Sequence, residues 1–217
     1  MSTRDLFDDH AGNSEREALA DGAVLLRSLV TKDAAALLLA IEDVIARAPF
    51  RNMVTPGGFT MSVAMTNCGR AGWLTDRKGY RYDAIDPQTG QPWPDLPAPF
   101  VRLATRASRA AGYEGFAPDA CLINRYEPGT RLSLHQDRNE RDFTAPIVSV
   151  SLGLPAVFLF GGAERSDRPR RYRLEHGDVV VWGGPARRAF HGVAPLADGE
   201  HPLTGRRRFN LTLRKAL

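Results

Sequence analysis

The C-terminal half of the chain is patterned for strands. From residue 119 onward ACLINRY, RLSLH, PIVSVSLGL, AVFLF, RYRLE, DVVVWG, AFHGV and RRFNLTLR follow one another at short spacing. Turns such as EPGT, FGG and EHGD separate them, and no helical stripe intervenes. Eight short strands of this kind predict a β-sandwich or barrel, and a jelly roll is the natural eight-strand solution. The N-terminal part differs. AVLLRSLV (23–30) predicts a strand. Thr31 is placed to cap a helix running to about Arg47, because Leu37, Leu38, Ile41, Val44 and Ile45 recur at helical spacing, and Pro49 ends it. A second helix is predicted over 98–111, with Phe100, Leu103, Ala104 and Ala107 as its apolar stripe and Gly112 at its C-terminal end. The expected fold class is mostly β with N-terminal helices.

Residues 51–95 have another texture. TPGGFTMSVAMTNCG combines a glycine turn with Met61, Val63 and Met65 in alternation, which predicts a hairpin. Trp73, Tyr80 and Tyr82 then stand among turn residues and charges, and the proline-rich DPQTGQPWPDLPAP reads as a loop. The region is expected to be a surface excursion of hairpins and loops rather than core. Residues 1–15 are expected to be a flexible tail, and 16–49 an N-terminal extension of strand and helix.

Composition narrows the class. The 217 residues are 43% hydrophobic and 25% charged, as in a soluble globular protein. No apolar run is long enough to cross a bilayer. MSTRDLFDDH is polar and acidic without a signal-peptide centre, so a cytoplasmic protein is expected. Cys68 and Cys121 belong to no CxxC pair, which excludes a zinc ribbon and leaves two buried thiols. The net charge is +4, and its distribution says more. Arg165, Arg168, Arg170, Arg171 and Arg173 form one cluster, Arg187 and Arg188 a second, and Arg206, Arg207 and Arg208 a third. Each alone reads as a solvated face; three together favour a phosphate-facing surface.

His135 and Asp137 stand two apart near a strand end, so both side chains can reach one ion. A non-haem iron site wants two histidines and one carboxylate on one face, with open positions opposite. Of the remaining histidines, His10 is in the tail, His176 in an exposed turn and His201 in a loop, while His191 lies in the apolar strand AFHGV. His191 is the best second histidine. An HxD pair by itself is more often an ordinary strand end, and the third element that gives it weight is RRFNLTLR. Phe209, Leu211 and Leu213 take one face of that strand; Arg208, Asn210, Thr212 and Arg214 take the other. If the polar face points inward, its arginines need anionic partners, and a small dicarboxylate held by Arg208 or Arg214 would fit. Asn124 and Tyr126, again two apart, could hydrogen-bond the same ligand.

The HxD pair, the distant histidine and RxNxTxR together resemble the AlkB family of iron- and 2-oxoglutarate-dependent nucleic-acid dealkylases. NRYEPGTRLSLHQD, SVSLGLPAVFLFGG, EHGDVVVWGG and MVTPGGFTMSVAMTNCG all resemble bacterial members, from about residue 20 to the end. The resemblance implies Fe(II) on His135, Asp137 and His191, with 2-oxoglutarate and O₂ as co-substrates. Arg208 and Arg214 would bind the carboxylates of 2-oxoglutarate, with Asn124, Tyr126 and Asn210 adding hydrogen bonds. It implies a double-stranded β-helix dioxygenase core over 93–217 and a nucleotide-recognition lid over 50–92. On that lid Trp73 would stack on an extruded base, Tyr80 would contact the backbone, and Thr55, Met61 and Met65 would line it. Arg165 would reach the substrate, taken to be alkylated single- or double-stranded DNA, or RNA. Two positions depart from the family pattern: Asn139 stands where bacterial members carry an acid, and Phe59 where they carry tyrosine. An amide both donates and accepts, so Asn139 bears on base preference. A monomer is expected. Two other readings compete: a hydroxylase of the same oxidant class acting on a protein or small molecule, and a non-enzymatic jelly-roll module with the polar face of 208–214 in solvent.

Overall fold

A computed structural model of the chain describes residues 15–217. The expected tail, apart from Glu15, and His10 lie outside the described residues. In chain order the elements are β1 (Arg16–Ala20), β2 (Ala23–Leu26), α1 (Ala34–Arg47), β3 (Arg51–Val54) and β4 (Thr60–Gly69). Then come β5 (Gly72–Asp76), β6 (Gly79–Asp83), α2 (Ala98–Ala110), β7 (Ala120–Tyr126), β8 (Leu132–His135) and β9 (Ile147–Gly153). The last are β10 (Ala156–Phe160), β11 (Arg170–Leu174), β12 (Val179–Trp182), β13 (His191–Val193) and β14 (Arg208–Arg214).

An eight-stranded sheet in the order β1-β2-β12-β9-β14-β7-β4-β3 is the middle layer. One face packs on α1 and α2: Val148, Val150, Leu211 and Leu213 meet Leu37, Ile41, Phe100 and Leu103. The other face meets the four-stranded sheet β11-β10-β13-β8, where Ile147, Val180 and Trp182 pack with Phe158, Phe160 and Val193. Burial on both faces explains why central strands such as VVVW read as continuous apolar runs, with no alternation to give a face away. The predicted jelly-roll character is present, with helices added on one side. β5 and β6 form a separate hairpin.

Several local expectations change. The strand predicted over 23–30 stops at Leu26, because Asp178 captures the chain: its Oδ1 accepts from the Ser28 amide at 2.9 Å and its Oδ2 from Arg27 Nη1 at 2.9 Å. Ser28 is held at φ 55°, which no strand tolerates. Thr31 does not cap α1; it opens a short 3-10 turn, and the helix begins after Asp33 with no side-chain cap bond. β1 was not foreseen; it is a charged edge strand paired only with β2. Residues 51–95 are only partly a surface excursion. Val63–Gly69 of β4 are buried and pair with β7 from Ala64↔Arg125 to Gly69↔Ala120. Their polar residues disguise this: Thr66 Oγ1 donates to the Ala48 carbonyl at 2.6 Å, and Asn67 exchanges two bonds with the Trp73 backbone. Cys68 and Cys121 are buried free thiols, as expected.

Candidate metal centre and its surroundings

β8 and β13 are antiparallel neighbours, and His135 is the direct register partner of His191. Gly192 permits the contact: a Cβ there would stand 2.7 Å from the Leu132 carbonyl oxygen. The imidazole centroids are 4.4 Å apart. Asp137, just past the end of β8, completes the group; one ligand atom from each of the three residues lies within 4.8 Å of the others. His135 Nε2 is 3.8 Å from Asp137 Oδ1, and His191 Nε2 is 3.9 Å from Oδ2.

The histidine tautomers follow from hydrogen bonds. His135 Nδ1 lies 2.8 Å from the Ser133 carbonyl and His191 Nδ1 lies 3.0 Å from that of Ala189. A carbonyl can only accept, so each Nδ1 carries the proton and each Nε2 presents a lone pair toward Asp137. Burial, and then the neighbouring His135, push the His191 imidazole down to about 4, against the pull of Asp137, which keeps it neutral and able to ligate. Burial also works to raise the Asp137 carboxyl, but Arg214 and the two histidines outweigh it and hold Asp137 below the usual carboxylate range. Two histidines and a carboxylate on one face, all in ligating form, suit a divalent iron with positions left open.

The polar face of β14 points inward, as the first of the two orientations required. Arg208 is 1% exposed and Arg214 5%. Arg214 donates to Asp137 Oδ2 from Nε at 2.8 Å, with its Nη2 2.7 Å from the same oxygen. Arg208 donates from Nη2 to Ser151 Oγ at 2.9 Å and lies over the Tyr126 ring, 4.9 Å from its centroid. Its Nε and Nη1 are buried without a partner, and so is Asn124 Oδ1. Asn124 Nδ2 donates to Asn210 Oδ1 at 3.1 Å. An unpaired buried guanidinium is costly unless an anion meets it. The donor set therefore fits a small dicarboxylate such as 2-oxoglutarate, for which the unpartnered Arg208 nitrogens would be an anchor.

The other predicted residues are distributed unevenly. Trp73 on β5 stacks on Tyr80 of β6 at 5.8 Å, and its Nε1 donates to Asn139 Oδ1 at 3.2 Å. Arg165 lies over the Phe190 ring beside His191, 5.2 Å from its centroid. Thr55 shapes the β3–β4 turn, its Oγ1 accepting from the Phe59 amide at 3.2 Å, with Phe59 77% exposed at the tip. Met61 packs at the edge of the inner cluster. Met65 is 1% exposed, inside that cluster and paired with Asn124, because β4 is a central strand there. His176, read as exposed, is partly buried; it accepts from the Gly153 amide at 3.0 Å and stacks on His201.

Sequence reasoning missed a set of residues behind Asp137. Arg187 donates to the Asp137 carbonyl at 3.0 Å and to Glu140 Oε2 at 3.3 Å; Tyr82 donates to Glu140 Oε1 at 2.6 Å. Glu140 sits in the charged run DRNERD, where nothing marks one acid as buried; the alternation of Tyr80 and Tyr82 was the available signal.

The family model described as "2OG-Fe(II) oxygenase superfamily" matches residues 22–214. The chain is 59% identical over 212 residues to "Alpha-ketoglutarate-dependent dioxygenase AlkB" of Escherichia coli (strain K12), covering 98% of this chain and 97% of that protein. It is 35% identical over 141 residues to "tRNA demethylase abh1" of Schizosaccharomyces pombe, covering 61% and 45%. The solved structure of OsALKBH1 superposes with a TM-score of 0.82 at 27% identity, covering 93% of this chain and all of that one. Identity over nearly the whole length, with a His–Asp–His face on the expected strands, leaves one conclusion: the chain belongs to the AlkB family of the 2OG-Fe(II) oxygenase superfamily, and is an Fe(II)- and 2-oxoglutarate-dependent dioxygenase.

Proposed function

We propose that the enzyme removes N-linked methyl groups from bases in nucleic acid by oxidising the methyl carbon. Substrates are of the 1-methyladenine and 3-methylcytosine type, in single- or double-stranded DNA or in RNA. The names of its relatives support the chemistry: one is a dioxygenase of nearly the same length, another a tRNA demethylase. The observation that carries the reading is the aromatic platform of Trp73 and Tyr80, tied through Asn139 to a position two residues from the metal-facing carboxylate. Stacking on such a platform holds a base without reading its sequence.

His135, Asp137 and His191 would hold Fe(II) through two neutral nitrogens and one carboxylate. Arg208, with Tyr126, Asn124 and Asn210 around it, and Arg214, between Asp137 and Glu140, would bind the carboxylates of 2-oxoglutarate. The bound group would supply the oxidising power to hydroxylate a C–H bond, at the expense of O₂ and 2-oxoglutarate, which becomes succinate and CO₂. The protein's part is position and shelter: Trp73 and Tyr80 stack the extruded base, and Asn139 holds the indole in place. The hydroxymethyl group so formed on nitrogen departs as formaldehyde and restores the base. Methylation of a Watson–Crick edge weakens pairing, so damaged bases are the cheapest to extrude, and selectivity begins there.

Residues 50–92 we read as the nucleic-acid lid, 93–217 as the oxygenase core and 16–49 as an extension that lends β2 to the large sheet. Thr55, Met61, Tyr80 and Arg165 are read as lid and rim contacts. No helix among the described residues is long and apolar enough to cross a membrane. A monomer remains our reading of the assembly state.

The test is formaldehyde release from an oligonucleotide carrying 3-methylcytosine, with Fe(II), 2-oxoglutarate and air, using His135→Ala as the control. Release by the wild type alone supports the reading. Turnover of 2-oxoglutarate with the methyl left in place would favour a protein or small-molecule substrate.

A further inference from the structure

The segment Asp137–Glu140 serves two purposes. Asp137 faces the metal position, and the residues just after it grip the β5–β6 hairpin. Asn139 Oδ1 accepts from Trp73 Nε1 at 3.2 Å, and Glu140 Oε1 accepts from the Tyr82 hydroxyl at 2.6 Å. Trp73 and Tyr82 are direct cross-strand partners, so both bonds hold the same rung of the hairpin ladder. Opposite residues of an antiparallel pair project on one face. The indole N–H can only donate, so the Asn139 oxygen must be the atom that faces it.

Glu140 cannot drift with the hairpin. It is 5% exposed, its Oε2 accepts from Arg187 Nη2 at 3.3 Å, and Arg214 Nε is 3.6 Å from its Oε1. Arg187 also donates to the Asp137 carbonyl at 3.0 Å and to the Ala145 carbonyl at 3.0 Å. The two arginines that fix Asp137 therefore fix Glu140. Of the two bonds to the hairpin, the one from Tyr82 is to a carboxylate and is the shorter, and charge-assisted bonds of this kind are the stronger.

We propose that Tyr82 and Glu140 are positioning residues that set the height of the Trp73 platform above the metal-facing carboxylate. The platform is thereby referenced to Asp137 itself rather than to the turn of its own hairpin. The inference deepens the reading of the hairpin as a nucleic-acid lid and rests on it for the substrate.

Tyr82→Phe keeps the ring and removes only the hydroxyl. The metal-free variant should bind a single-stranded oligonucleotide carrying 3-methylcytosine roughly tenfold more weakly than the wild type, the size of one hydrogen bond to an ionised acceptor. With Fe(II), succinate formed per formaldehyde released should rise above one to one, because a base held at the wrong height is missed in some turnovers. Affinity for Mn(II) and for 2-oxoglutarate should stay as in the wild type. A merely structural role would lower the melting temperature yet leave the affinity of the folded protein and the product ratio unchanged. Wild-type binding and one-to-one products in the variant would overturn the proposal. A wild-type protein that leaves the methyl in place fails the functional reading before any variant is made, so the two failures are distinct.

Discussion

Arg208 lies buried with two nitrogens unpartnered, in a strand whose other polar side chains all find partners. A charge left this way lowers stability and marks where an anion belongs. Arg208→Met keeps the length of the side chain and removes the charge. The KM for 2-oxoglutarate should rise on the order of 100-fold, the scale of losing one partner of a buried charge pair. The metal-free protein should unfold at the same or a higher temperature. A normal KM, or a clear loss of stability, would contradict the assignment. The inward arginine was legible in the sequence as one of two alternatives, because alternation fixes that Arg208, Asn210 and Arg214 share a face but not which face is buried. The HxD pair was legible for the same reason: a two-residue period places His135 and Asp137 together. Glu140 and Arg187 were not legible, since their burial depends on Asp137, Arg214 and Tyr82 arriving from three distant segments.

Strand positions from β7 onward followed the pattern of apolar residues, because each strand carries its own signal. The errors fell where a partner overrides local preference. Asp178 ends β2 early by taking the Ser28 amide, and Thr66 and Asn67 make a central strand look polar. The β5–β6 hairpin read as turn residues and aromatics because β5 buries only Gly72, Leu74 and Thr75, and β6 buries no residue. Trp73 is half-buried and Tyr80 exposed, and the two rings stack on one another. Trp73→Ala should weaken binding of methylated oligonucleotide by about tenfold or more, since a stacked base contributes roughly 1–3 kcal/mol. Iron and 2-oxoglutarate binding should be spared, because neither ligand set includes the hairpin. Unchanged oligonucleotide affinity would remove Trp73 from the stacking role.

At the scale of the molecule, the metal face lies between two sheets whose packing keeps His191 at 6% exposure with Trp182 against it at 4.9 Å. Burial lowers the His191 pKa to about 4 in the folded, metal-free protein, against about 6.5 when unfolded. Between those values the unfolded chain binds more protons, so stability rises with pH and falls as the solution is acidified through the window. The chelated protein should lose on the order of 3 kcal/mol from pH 7 to pH 4 by this route. Asp137 acts in a separate range: its depressed pKa contributes stability above the ordinary carboxylate value, lost only in stronger acid. Chelated His191→Asn should show a flatter melting-temperature profile between pH 7 and 4; an equal slope would place the titration elsewhere.

One reaction tests the metal–oxoacid pocket and the lid that holds a methylated base together. An oligonucleotide carrying 1-methyladenine is incubated with the protein, Fe(II), 2-oxoglutarate and air, and followed by mass spectrometry with succinate measured in the same sample. The methylated oligonucleotide should be converted to the unmethylated one, matched by succinate, with no conversion when iron or 2-oxoglutarate is omitted. Succinate formed while the oligonucleotide stays fully methylated would contradict the proposed function.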